Sequence, residues 1–208
     1  MKLRFKASHK LIRFMNLLEQ TRFLLRITRT QDIMRRYFVV NGFDGALTML
    51  GLILGFLVSG ATGLSVIINV CLGAAIALGV SGVSSAYVSE IAERKRALAK
   101  LEDAMITDLH DSAHGEAARG VPLLVALVNG FAPLAISFLI LTPLIAADAG
   151  FALPVAPLYA AVAIALLLIF LLGVFLGSIA GVSWLLSGIQ TLLVAILTAV
   201  LIYFFAGY

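Results

Sequence analysis

The sequence is short of charge, of cysteine and, in its last third, of any basic residue. Of 208 residues only 12% are Asp, Glu, Lys or Arg while 62% are hydrophobic, which is too little polar surface to cover a water-soluble domain. The single cysteine, Cys71, lies in an apolar run with no partner for an internal disulfide, so cysteine usage carries no compartment signal. There is no HExxH or GxSxG sequence, and His9, His110 and His114 all fall outside the apolar stretches. Hydrolytic and nucleophilic catalysis therefore have no machinery here, and an enzyme is not expected. Nucleic acid is not an expected partner either, despite a pI near 9.5.

What the chain does have is apolar length. Its mean hydropathy is +1.07, and five stretches, about Phe38 to Ser59, Leu64 to Ile91, Val121 to Ala147, Pro154 to Gly177 and Leu185 to Ala206, are each long enough to cross a bilayer as one helix. The expectation is an all-α integral membrane protein, with transmembrane helices one and two in residues 37–92 and three to five in residues 121–208. All fifteen Lys and Arg residues precede Val121 and fall in two groups, Lys2 to Arg36 and Arg94 to Arg119. Basic residues concentrate in cytoplasmic segments beside membrane spans, so both groups should share the cytoplasmic side, with Tyr208 outside. No sorting signal is legible, and a multi-pass protein of a prokaryotic cell membrane fits.

Residues 1–36 alternate apolar Leu11, Phe14, Met15, Leu18 and Leu25 with Arg13, Arg22, Arg26 and Arg29 at helical spacing, the pattern of an amphipathic helix lying on a membrane surface. No apolar core of signal-peptide length precedes a cleavage site, so removal is not expected. The charged residues 93–120 have no proline and no glycine before Gly115. The second span is thus expected to continue as a cytoplasmic helix until Gly115 and Gly120 break it.

Candidate site residues begin with Asp44, the only charge in the first span. An ionisable side chain inside a transmembrane helix costs about 2.5–3.5 kcal/mol on insertion scales. Asn41, Asp44 and Thr48 follow i, i+3, i+7 spacing and form one polar stripe. Two such stripes facing each other would bring carboxylates together, and a proton or divalent cation would relieve their repulsion; a protonated Asp44 hydrogen-bonded to a neighbouring helix is the alternative. Ser81, Ser84, Ser85 and Tyr87 make the end of the second span rich in hydroxyls, either for close packing or as weak oxygen ligands along an ion path. On a continuous cytoplasmic helix Asp103, His110 and His114 would fall within about 40° of one another and Glu93 would align with Asp111. That pattern suits Fe or Mn, and equally a solvated charged face. Gly51…Gly55 and Gly173…Gly177…Gly181 permit close helix crossings, and Asn129 and Pro133 bend the third span, line a cavity or, equally, serve as local packing devices. Trp184, Tyr203 and Tyr208 suit the membrane interfaces.

Three separated pieces carry a family resemblance. They are Arg36-Tyr37-Phe38-Val39-Val40-Asn41-Gly42-Phe43-Asp44-Gly45-Ala46-Leu47-Thr48, then Ser81-Gly82-Val83-Ser84-Ser85-Ala86-Tyr87-Val88-Ser89-Glu90, then Gly173…Gly177…Gly181…Trp184…Ser187-Gly188…Gln190-Thr191. In this order, with five spans and a charged insert after the second, the sequence resembles the vacuolar iron transporter family over about Arg35 to Tyr208. The resemblance implies a homodimeric carrier of Fe²⁺ or Mn²⁺ out of the cytoplasm in exchange for protons, with the metal as substrate and no cofactor. It places Asp44 in the ion path between subunits, and Glu90 and Glu93 at the base of a metal-gathering helix. Where that family commonly has a glutamate and a methionine on the second span, this sequence has Ala74 and Gly82. Its insert also lacks the dense glutamates of the plant members. A non-transporting scaffold or metal sensor of the same fold is the alternative.

Overall fold

A computed structural model of the chain describes residues 30–60, 63–110 and 112–206. The expected surface helix lies outside the described residues as far as residue 29, as do Asp111 and Tyr208. Five α-helices make up the described chain: α1 (Thr30–Ser59), α2 (Leu64–Met105), α3 (Ala113–Asp148), α4 (Pro157–Ala180) and α5 (Trp184–Ala206). Each is long and apolar enough to cross a membrane, the pattern of a multi-pass helical membrane protein. At 42 residues, α2 runs about 63 Å at 1.5 Å per residue, twice the roughly 30 Å of a hydrocarbon core.

The described residues form two compact units, 30–35 with the described part of 85–126, and the described parts of 36–84 and 127–206. In the second unit the core is aliphatic, built from Met49, Leu50 and Ile53 of α1, Ile67 and Cys71 of α2, Leu141 and Leu144 of α3, and Ile169 of α4. Leucine, valine and phenylalanine are also abundant on its outside; on α5, Leu193, Ile196, Leu197 and Val200 are all exposed, as suits a lipid-facing helix. Helices α1 and α3 run parallel where they touch, since Asn41 meets Asn129 and Gly45 meets Pro133. Helix α2 runs antiparallel to α3, with Gly82 against Asn129 and Gly79 against Leu134.

Helices α4 and α5 form a hairpin. A Cβ at Gly173 would strike the Thr191 side chain, and one at Gly177 would strike Ser187 and come 3.0 Å from Trp184 Cα. These are the close crossings that the Gly173…Gly177 spacing predicts. Gly177 is therefore interior, whereas Gly181, third in the expected pattern, makes no crossing: nothing among the described residues lies within 4 Å of a Cβ there, and its φ of 69° and ψ of 20° make the left-handed cap, so the helix ends later than the sequence pattern suggests. The helix also starts later than expected, at Pro157, because the extended Ala156 (φ −57°, ψ 134°) precedes a proline at the first turn. The Gly51…Gly55 pair makes no such crossing among the described residues. Only Ile202 comes within 4 Å of a Cβ at Gly51, and nothing does at Gly55.

In the first unit the expected break at Gly115 and Gly120 is corrected. Helix α2 stops at Met105, and both glycines lie inside α3. Side chains that compete with helical hydrogen bonding explain the turn. Glu102 Oε1 accepts the Leu109 N–H at 3.0 Å, Asp108 Oδ1 accepts the His110 N–H at 2.8 Å, and Ser112 Oγ accepts the Gly115 N–H at 3.4 Å as an N-cap. Ile106 turns the chain with φ 51°. Gly115 serves the turn: a Cβ there would collide with the carbonyl oxygens of Leu109 and His110.

Candidate functional site

Gly45 sets the rotation of α1. Its Cβ position lies 2.8 Å from Pro133 Cα, so this side of α1 is pressed against α3. One residue is 100° around a helix, and Asp44 accordingly points away from that contact. Its side chain is exposed. It borders a cleft of about 160 Å³ among α1, α4 and α5, where Val40 and Phe43 face Leu172, Leu176 and Thr191. Asp44 is the one charged residue on that lining, and among the described residues its carboxylate makes no hydrogen bond or ion pair. The stripe read from the sequence thus divides. Asp44 is open, Asn41 and Thr48 are half-buried, and Asn41 turns toward α3.

Asn41 donates from Nδ2 to the Tyr37 carbonyl at 2.9 Å and to Asn129 Oδ1. Asn129, 5% exposed, donates from Nδ2 to the Gly82 carbonyl at 2.7 Å. One side chain therefore joins α1, α2 and α3 inside the apolar layer. The contact needs backbones in touch: a Cβ on Gly82 would sit 3.1 Å from Gly130 Cα and 3.2 Å from the Asn129 carbonyl. Pro133 lacks the N–H that would have bonded that same carbonyl. Asn129 is the central residue of this junction, which fits the local packing device among the roles open to it in the sequence better than a bend or a cavity lining. Gly82, where the resembling family has a methionine, is occupied by packing, and Ala74 is half-buried against the aliphatic core. Neither offers a ligand.

On α2, Ser81, Ser84, Ser85 and Tyr87 are exposed, and Ser84 Oγ bonds back to the Val80 carbonyl at 2.8 Å. In the first unit Glu90 is 6% exposed and pairs with Arg94 at 3.4 Å, while Arg94 Nη2 donates to the buried Thr30 hydroxyl at 2.8 Å. Glu90 is thus held in an ion pair, whereas Glu93 is exposed. The alignment of Asp103, His110 and His114 assumed one helix, but Asp103 lies on α2, His110 in the connection after Met105 and His114 on α3. Asp103 and His110 do rim one open cleft with Glu102 and Asp108. His114 is exposed on α3, and the His110 ring meets Arg119 Nη1 at 3.1 Å. Among the described residues no three of His, Cys, Asp and Glu come together to hold a metal ion.

Over 178 residues the chain is 31% identical to a protein of Methanocaldococcus jannaschii named "Uncharacterized protein MJ0645", and the match covers 80% of this chain and 85% of that one. The chain belongs to the MJ0645 family. No family model matches it, and no solved structure does. In this member of the MJ0645 family the chemistry available to the apolar layer is narrow. Among the described residues one open carboxylate can take a proton or a cation, beside a three-helix amide junction in which Asn41 Nδ2 and both ends of the Asn129 amide are engaged.

Proposed function

We propose that the chain transports a divalent metal, Fe²⁺ or Mn²⁺, out of the cytoplasm in exchange for protons, as a homodimer whose path is centred on Asp44. The observation that carries this reading is an exposed carboxylate without a partner among the described residues, on a helix long and apolar enough to cross a membrane. Facing lipid, it would cost about 2.5–3.5 kcal/mol. Facing its copy, two carboxylates are neutralised alternately by a proton and by a metal ion, which is the coupling an antiporter needs. Octahedral first-row ions take six oxygens. One protomer offers the Asp44 carboxylate and the Thr191 hydroxyl, so a second copy and water supply the rest. The resemblance to vacuolar iron transporters supports the same assignment. In the first unit, Glu102, Asp103, Asp108 and His110 around one open cleft would attract cations to it. The distribution of basic residues orients the N-terminus to the cytoplasm and the C-terminus outside, in a prokaryotic cell membrane.

The test is flux in proteoliposomes loaded with a metal-sensitive dye and a pH dye. Mn²⁺ uptake with opposing proton movement is expected from the native chain, and none from Asp44→Asn. Equal uptake by the variant would overturn the reading. A second reading, a non-transporting scaffold or metal sensor of the same fold, is motivated by Ala74 and Gly82 standing where the resembling family commonly has a glutamate and a methionine. It predicts Mn²⁺ binding without flux.

A further inference from the structure

The cleft at Asp44 is complete within one protomer, and its walls fit a different cation from a bare metal ion. Its volume of about 160 Å³ is close to that of an apolar cavity of roughly 150 Å³ that takes up one benzene molecule. Phe43 and Val40 of α1 face Leu172 and Leu176 of α4 across it. Val40 is 48% and Leu176 39% exposed, so the cleft opens at the protomer surface. Two polar groups interrupt the apolar wall. One is the Asp44 carboxylate. The other is the Thr191 hydroxyl, whose proton is committed to the Ile169 or Gly188 carbonyl, 3.1 and 2.9 Å away, leaving its oxygen as an acceptor. The cleft therefore offers negative charge and acceptors but no donor of its own from these two side chains, beside an apolar slot the size of one ring. An ammonium group has three donors and no acceptor, and an attached hydrocarbon body would fill the slot.

The geometry points to a binding site for a small organic ammonium cation, its nitrogen on Asp44 and its apolar body between Phe43, Leu172 and Leu176. The site needs no second copy and no metal, and so stands apart from the transport reading. An occupant would neutralise Asp44 and compete with any other cation that uses it.

Binding is measured by saturation-transfer NMR on the full chain in nanodiscs, with benzylammonium as probe, benzyl alcohol as its uncharged equivalent and empty nanodiscs as the partition control. Saturable benzylammonium binding is expected, at least about tenfold tighter than that of the alcohol, a gap of about 1.4 kcal/mol. Asp44→Asn, checked for unchanged elution and thermal midpoint, should reduce the ammonium to the level of the alcohol. Leu176→Trp, at the rim of the cleft, should block it while Asp44 remains. Equal binding of alcohol and ammonium would mean a slot for lipid tails and would overturn the inference. So would uptake no greater than in empty nanodiscs, or unchanged affinity in either variant.

Discussion

At the residue scale, Asp44 and Asn129 are opposite solutions to a polar group in an apolar helix. Asn129 has each amide end bonded to a neighbouring helix. Interhelical hydrogen bonds in membranes average about 0.6 kcal/mol, so Asn129→Ala should lose about 1–2 kcal/mol once the cavity it leaves is added. A lower thermal midpoint in detergent checks this; an unchanged midpoint would mean the junction is not under tension from all three helices. Asp44 has no such bonds, and stability should move the other way. Asp44→Leu removes an unpaired acid and is expected to stabilise the chain by up to about 2.5–3.5 kcal/mol while abolishing cation flux, the trade expected at a functional site. A drop in midpoint would instead reveal a structural partner for the carboxylate. Asp44 was legible in the sequence because it is the only charge in its span. Asn129 was not, because nothing local says that Gly82 and Gly130 bring two backbones close enough for its amide to reach across. The clue was there in non-local form, an Asn-Gly with a proline four residues on, opposite a helix with glycines three apart.

At the element scale, hydropathy alone found all five spans, since apolar length is a property of the sequence itself. What it missed was the end of α2. Gly115 reads as a helix breaker by propensity, yet it sits in the first turn of α3 because only a residue without Cβ tolerates the Leu109 and His110 carbonyls. Gly115→Val should push that turn open, with a loss of about 1–3 kcal/mol typical of overpacking. Faster proteolytic nicking within residues 106–112 is the readout. Ile106 offers the converse change. It is 93% exposed with φ 51°, a left-handed conformation costing a residue with a Cβ about 1–2 kcal/mol. Ile106→Gly should therefore leave the fold intact and raise its stability by about 1 kcal/mol, after glycine's own backbone entropy is subtracted. A lower midpoint would show that the isoleucine side chain packs against something that its exposure does not suggest.

At the scale of the whole molecule, the transport reading depends on which helix faces a second copy. The chain suits a cysteine test, because its only cysteine, Cys71, is free and fully buried in the core. A thiol added at the surface then reports its own position alone. Val40 is one turn before Asp44 on the same open side of α1, and Ile196 is exposed on α5. If the subunits meet along α1, a short bismaleimide should link Val40→Cys into dimers in native membranes and leave Ile196→Cys monomeric. Linking should also fall when Mn²⁺ is chelated, if a shared ion helps to hold the two carboxylates together. The reverse pattern, dimers through position 196 and none through position 40, would put Asp44 against lipid with its full desolvation cost and no counterpart. An acid so placed cannot alternate between a proton and a metal held by two subunits, and the antiport mechanism would fail with it. The ammonium site, which one protomer completes alone, would survive that result.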